Sequence, residues 1–346
     1  MRFPRRLQLS LLLSVLATAW ASPQLKFGST TLSGQPISPA VEFFGGIPFA
    51  EPPLGQLRLR PPIFKPRLNV STFDASDYGT SCPQPRLFGG DIPISEDCLT
   101  INVHRPIGTK LSDMLPVFFW TYHSDQLAAL EWVQANIGFF GGDKRKVTAT
   151  GESAGSILTS ILYLNPEPFE RLARGAIMQS GVANSIFVFK ASRNELFWQK
   201  FVGNVPSCAS LATSGSTLSC LRNASTDEIS AAVLQSVVLE DLAANLNWMP
   251  AIDGKLVPDV PSRLFGKRRL ANVPFITGTN LDEDMTDQDI RDYLVGITSD
   301  HKDSRKLEGI IDEALGLYPK DPKAGSPYGT GDECYELRSL LRQGVE

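Results

Sequence analysis

The sequence predicts an α/β protein with a mostly parallel central sheet and flanking helices, and three observations carry that expectation. An apolar run of strand length, Leu115–Tyr122, is followed by Leu127, Leu130, Val133 and Ile137 at helical spacing. A second short run, Lys146–Thr150, leads into a helix-forming stretch with an apolar face, Ala154–Leu164. Two further strand-length runs, Ala173–Gly181 and Val273–Asn280, come later, and strands alternating with helices build a parallel sheet wrapped by those helices.

Taken in chain order, Ser22–Asp113 is rich in Pro and Gly with short apolar runs. This is the pattern of a twisted antiparallel edge followed by long loops, and not of a separate module. Leu115–Tyr122 is uninterrupted by polar residues, as in a strand buried on both faces, so it is expected at the centre of the sheet. Gly138 stands where the helix after it should stop. Between the last two strand runs, Ser225 and Glu228 form a capping-box signature ahead of an Ile229, Ala232, Val233 stripe. There is no internal repeat and no low-complexity segment.

With 346 residues, 42% of them hydrophobic, the chain can bury a sizeable core. Residues 1–21 carry Arg2, Arg5 and Arg6, then an apolar stretch from Leu9 to Ala17, then Ala19-Trp20-Ala21 as a small-x-small cleavage site. This reads as a secretory signal peptide, which leaves 22–346 as a single mature domain that is secreted to the extracellular space. No later run approaches the roughly 18 apolar residues of a membrane span. Loss of three arginines takes the formal charge from −4 to −7. An acidic chain without a basic stripe argues against a nucleic-acid partner.

An oxidising compartment changes how five cysteines are read, because it favours disulfides over metal thiolates. Cys82 and Cys98 enclose 15 residues and Cys208 and Cys220 enclose 11, so each pair can close a local loop. Each bridge would stabilise the fold by ~3 kcal/mol. Cys334 is left over, as a free thiol, an intermolecular bridge or the partner of a cysteine in sequence absent here. Two sequons, Asn69-Val70-Ser71 and Asn223-Ala224-Ser225, are candidate glycosylation sites.

The motif that carries chemistry is Gly151-Glu152-Ser153-Ala154-Gly155, set between a strand and a helix. Glycines at its two ends let the strand and helix backbones approach, while the serine is held in a strained conformation with its hydroxyl exposed above the sheet. The helix points its N-terminal amides at the same place, so the Ala154 N–H can donate to a developing oxyanion. A glycine-flanked surface turn is the plain alternative for five residues taken alone.

The surrounding sequence is more specific. Phe140–Gly155, "FGGDKRKVTATGESAG", resembles the serine signature of the type B carboxylesterases, the family of cholinesterases and secreted fungal lipases, apart from Ala149 and Thr150, where larger residues are usual. Ser95–Pro106, with Glu96, Asp97, Cys98, Leu99 and Asn102, resembles that family's second signature. Phe43–Pro62 resembles its N-terminal block, and Trp248–Phe265 and Val273–Asp284 resemble the blocks leading to its catalytic acid. The blocks follow the family's order over nearly the whole mature chain.

The resemblance implies an α/β-hydrolase fold and hydrolysis of carboxylic esters through an acyl-enzyme, acting on small-molecule or lipid esters without metal or organic cofactor. It makes Ser153 the nucleophile and Glu283 the triad acid, although Asp284 stands where the family has glycine, and the acidic run with Asp282 and Asp287 also reads as a solvated loop. It pairs Cys82 with Cys98 and Cys208 with Cys220. It further implies that the sequence is incomplete. The glycine run that forms the main oxyanion hole is expected after Tyr122, where this chain continues with His123-Ser124-Asp125-Gln126, and the family's histidine is expected farther past Glu283 than the 63 residues that follow it. Of three histidines, His104 reads as structural, His301 as a loop or helix-cap residue and His123 as a residue placed by the missing segment, so the catalytic histidine is unknown. This chain is therefore expected to be impaired; the alternatives are a non-catalytic cholinesterase-like binding protein and an inactive splice or gene-model fragment.

Overall fold

The computed structural model describes residues 22–84, 93–121, 125–186, 188–236, 248–279, 291 and 304–317. Its N-terminal part holds β1 (Gln24–Phe27), β2 (Thr30–Ser33), β3 (Gln35–Pro36), β4 (Val41–Pro48), β5 (Thr72–Asp74) and β6 (Thr100–Pro106). These form two three-stranded sheets, ordered β1-β2-β5 and β3-β4-β6, with antiparallel pairing everywhere except between β2 and β5. The antiparallel start read from the Pro- and Gly-rich sequence is thus observed.

The chain then alternates strands and helices: β7 (Leu115–Thr121), α1 (Gln126–Asn136), β8 (Gly142–Glu152), α2 (Ala154–Tyr163), α3 (Pro166–Leu172) and β9 (Gly175–Gln179). A short parallel bridge, β10 (Phe189–Lys190) with β11 (Ala251–Ile252), encloses the helices α4 (Glu195–Gly203), α5 (Leu218–Asn223) and α6 (Thr226–Ser236). After it come α7 (Pro261–Gly266), β12 (Phe275–Gly278) and α8 (Ser304–Leu317). Among the described residues the central sheet has four strands, all parallel, in the order β12-β9-β8-β7.

The apolar positions explain why these layers meet. Val147 and Ala149 of β8, Phe119 of β7 and Ala176 and Met178 of β9 pack in one cluster with Leu130, Trp132 and Val133 of α1 and with Phe27, Leu32, Phe44 and Ile47 of the N-terminal sheets. Trp132 stacks on Phe27 at 5.8 Å, and Phe140 meets the edge of Phe44 at 5.7 Å. The N-terminal strands therefore share their core with the parallel sheet. A second cluster ties α4 to α6 through Phe201, Val202, Leu221, Ile229 and Ala232.

One strand departs from expectation. β7 is not central among the described strands but lies at the edge, paired to β8 alone. Phe119 is buried, yet Phe118 and Trp120, which point to the opposite face, are 61% and 52% exposed. An apolar run is buried on both faces only if other elements cover both, and among the described residues Phe118 and Trp120 are left largely uncovered while no strand pairs with the outer edge of β7.

β8 also begins four residues before the predicted Lys146, because the charged stretch Asp143–Lys146 is strand despite its composition. Asp143 is buried there, and its carboxylate is met by Arg145 and Lys146. The disulfide pairs are as the resemblance implied, Cys82 with Cys98 at a Cα separation of 5.1 Å and Cys208 with Cys220 at 5.8 Å. Among the described residues no helix is long and apolar enough to cross a membrane.

Candidate active site

Ser153 sits between the end of β8 and the first residue of α2, with φ 50° and ψ −119°. A non-glycine residue there is strained and persists only where its surroundings fix it. Here the fixing bonds come from both sides: the Ser153 N–H donates to Gln179 O at 2.9 Å, and Ser153 O accepts from the Ile157 N–H at 3.0 Å. The backbone is thus tied to the C-terminal end of β9 and to the first turn of α2. Ser153 is half-buried and Ala154 is exposed.

The glycines have separate steric reasons. A β-carbon on Gly151 would lie 2.2 Å from the carbonyl carbon of Gly155, so only glycine lets β8 pass so close to α2. Gly155 supplies that backbone; its carbonyl accepts from Thr159 Oγ1 at 2.8 Å and, at 3.5 Å, from Gln126 Nε2 at the start of α1. Gly181 backs the same turn, since a β-carbon on it would stand 3.0 Å from Ser153 O and 2.9 Å from Ile157 Cγ1. The Ser156 hydroxyl donates to Gly181 O. Neither Gly181 nor Ser180, with its φ of 52°, carries a local signal in the sequence, because both act on a turn nearly thirty residues away.

Ala154 is the first residue of α2, and the amides of a first helical turn have no intrahelical acceptor. They face the end of the helix where partial positive charge collects, which suits a developing anion. Thr121, the last residue of β7, is in register with Gly151, so the chain leaving β7 emerges beside the elbow. Asp125 follows in the left-handed region at φ 66°, and burial pushes its carboxyl above the usual aspartate range.

The remaining expected site residues are distributed as follows. Gly278 ends β12 in register with Gln179, and its carbonyl accepts the Ser180 N–H at 2.8 Å, so the chain toward Glu283 leaves from the same end of the sheet as Ser153. Glu283 itself, His123, His301, Cys334 and the signal segment 1–21 lie outside the described residues. His104 is in β6 of the N-terminal sheet, its Nε2 3.3 Å from the Tyr78 hydroxyl and its ring 4.9 Å from that of Phe43, which agrees with a structural reading. Asn69 and Asn223 are both exposed. Among the described residues no group of three His, Cys, Asp or Glu side chains is arranged to hold a metal ion.

Comparison with known proteins gives this geometry its context. The model of the Carboxylesterase family matches residues 24–124 and 123–315, in two pieces that meet at His123 and Ser124. The chain is 31% identical to the secreted triacylglycerol lipase LIP1 of Gibberella zeae over 389 aligned positions, covering 84% of this chain and 64% of that protein. Since 84% of 346 residues is about 291, about 98 of the 389 positions have no residue in this chain. Lipase 4 of Diutina rugosa is 29% identical, with 94% of this chain and 74% of that protein covered. In fold, the chain resembles the crystal structure of Aspergillus niger EstA with a TM-score of 0.68 at 23% identity, covering 87% of this chain and 68% of EstA. The strained serine between parallel strand and helix, the glycines that permit it and a family match over most of the sequence lead to one conclusion: the chain belongs to the carboxylesterase family.

Proposed function

We propose that this chain carries the nucleophile of a carboxylic ester hydrolase, with Ser153 as the residue acylated. The observation that supports the reading is the conformation of Ser153, held at φ 50° and ψ −119° by backbone bonds to Gln179 and Ile157 at the head of α2. In the reaction Ser153 Oγ attacks the acyl carbonyl of a small-molecule or lipid ester, the alcohol leaves, and water then hydrolyses the acyl-enzyme. The Ala154 N–H stabilises the oxyanion in each half. In the family's triad the residue at Glu283 would orient a histidine, unassigned among the three of this chain, and stabilise the imidazolium formed as that histidine takes the serine proton and returns it to the leaving alcohol. Relatives with lipase names, in Gibberella zeae and Diutina rugosa, support the ester class. The two ranges of the family match, which meet at residues 123 and 124, support an interruption between β7 and α1, and residues 122–125 contain no glycine to contribute further oxyanion amides.

Loss of one oxyanion donor lowers the rate by about 10² to 10³. Without glycine amides after β7, turnover by this chain is correspondingly slow and rests on Ser153 and the Ala154 amide. Residues 22–346 form one secreted domain in this reading, carrying glycans at Asn69 and Asn223. A fluorophosphonate probe and a short-chain nitrophenyl ester test the reaction in the purified chain beside Ser153→Ala. Labelling confined to Ser153, with turnover orders of magnitude below an intact esterase and absent from the variant, supports the proposal. A Ser153 that takes no label sinks it and leaves a binding protein on a hydrolase scaffold.

A further inference from the structure

From the exposed outer edge of β7 we infer that this chain associates with a second copy of itself, β7 pairing antiparallel with β7 to extend the two parallel sheets into one. The inference is independent of whether Ser153 is catalytic. Among the described residues β7 pairs with β8 only, so the backbone groups along its outer edge from Val117 to Trp120 meet no other strand. Natural edge strands are blunted by charge, by proline or by a covering element. Here Leu115–Thr121 has no charged residue, and its one proline, Pro116, stands at the irregularity between Leu115 and Val117, where regular pairing has not yet begun. Among the described residues Val117–Trp120 is therefore an unpaired, uncharged template.

The side chains select a second copy as the occupant. Phe118 and Trp120 lie on one face, 6.4 Å apart and stacked at 23°, and both are more than half exposed. A two-fold axis perpendicular to the sheet keeps equivalent faces on the same side. A register centred on Phe119 then sets Phe118 of one copy opposite Trp120 of the second copy, twice, in the aromatic cross-strand arrangement that stabilises sheets. Because the run is uncharged, no like charges oppose each other. Leu111 and Met114, exposed just before the strand, lengthen the apolar margin.

The contact is small. Aromatic side chains offer about 150–250 Å² each, so four half-exposed rings and two short strands fall below the ~1,200 Å² of a standard stable interface. The expected association is therefore weak and reversible, and not a permanent dimer.

Sedimentation velocity of the purified chain from about 1 to 300 µM reads this directly, with near-ultraviolet circular dichroism to check folding. The expected result is a rise from one chain mass to two, a dimerisation midpoint at least tenfold weaker in Phe118→Lys/Trp120→Lys, and no change in Leu196→Lys, whose side chain is 75% exposed on α4. Those amides of Val117–Trp120 that point away from β8 should gain protection from hydrogen exchange as concentration rises. A single chain mass throughout overturns the inference, as does a dimer that survives the double substitution. Open-ended polymers that need Phe275 on the opposite edge would also overturn it, and so would a monomer whose edge is occupied by a co-purified peptide.

Discussion

Gly151 and Gly155 are in backbone contact, and a β-carbon on Gly151 would stand 2.4 Å from Gly155 O and 2.5 Å from Ser156 N as well as 2.2 Å from Gly155 C. All three are main-chain atoms, which cannot rotate away as the end of a side chain does. Gly151→Ala must therefore push α2 off β8 and release Ser153 from its strained conformation. The expected outcome is a loss of roughly 3 kcal/mol of stability, at the upper end for overpacking, together with loss of probe labelling at Ser153. Thermal melting and labelling beside Gly215→Ala, where a β-carbon meets nothing within 4 Å, give the comparison.

How far the sequence can be read follows from the range of the physics involved. The elbow was legible because its steric demand acts between residues four apart, and the capping box because Ser225 and Glu228 bond within one turn. β7 was misplaced because an apolar run reports what a strand would bury, while its neighbours are decided elsewhere in the chain. The early start of β8 was hidden by Asp143, Lys144 and Arg145, whose charges read as surface although the Asp143 side chain is 1% exposed. Gly181 and Ser180 could not be found at all, since they support Ser153 from across the sheet. The triad acid was assigned only through family resemblance, and Glu283 lies outside the described residues.

A buried ion pair joins the N-terminal loops to the helices α5 and α6. Arg58 Nε donates to Glu96 Oε1 at 2.6 Å, each side chain is only 7% exposed, and the guanidinium also donates to Leu221 O and, at 2.8 Å, to Ala224 O. Glu96 accepts from Thr226 Oγ1 at 2.7 Å. Removing one partner leaves the other charged and desolvated, which costs about 3–5 kcal/mol. Glu96→Ala should therefore lower the denaturation midpoint far more than Glu131→Ala, which breaks the solvent-exposed pair with Arg171 at 3.1 Å. Urea unfolding of the two variants checks the ranking, and equal losses would contradict it.

Asp125 sets the sign of one pH effect. Burial raises its pKa above the ordinary 3.8, so the folded protein favours the neutral acid. Its contribution is fully present below that ordinary value and is lost as pH rises through the raised folded value. Asp125→Asn keeps a neutral side chain that tolerates the left-handed backbone at φ 66°. The variant should melt with the parent near pH 3.5 and above it at pH 7. A Tm difference that does not change over this range would refute the assignment.

Glu228 gives the opposite sign. Its carboxylate accepts the Ser207 N–H at 2.9 Å and the Ser225 N–H at 3.1 Å, while the Glu228 N–H donates to Ser225 Oγ at 3.2 Å. The bonds its carboxylate accepts, that from the Ser207 N–H first and that from the Ser225 N–H next, hold its pKa below the ordinary 4.5. The stability it contributes is present above that value and is lost as pH falls through the lowered folded value. Because one carboxylate caps α6 and also fastens the chain beside Cys208, its protonation loosens both attachments together. Glu228→Gln retains an acceptor without a titrating charge. Its melting temperature should fall below the parent's at pH 7, and the gap should close as the pH is brought down below the ordinary glutamate value. Differential scanning calorimetry across that acid range decides the matter, since a gap of constant size would show that the bonds to Ser207 and Ser225 do not depend on the ionised carboxylate.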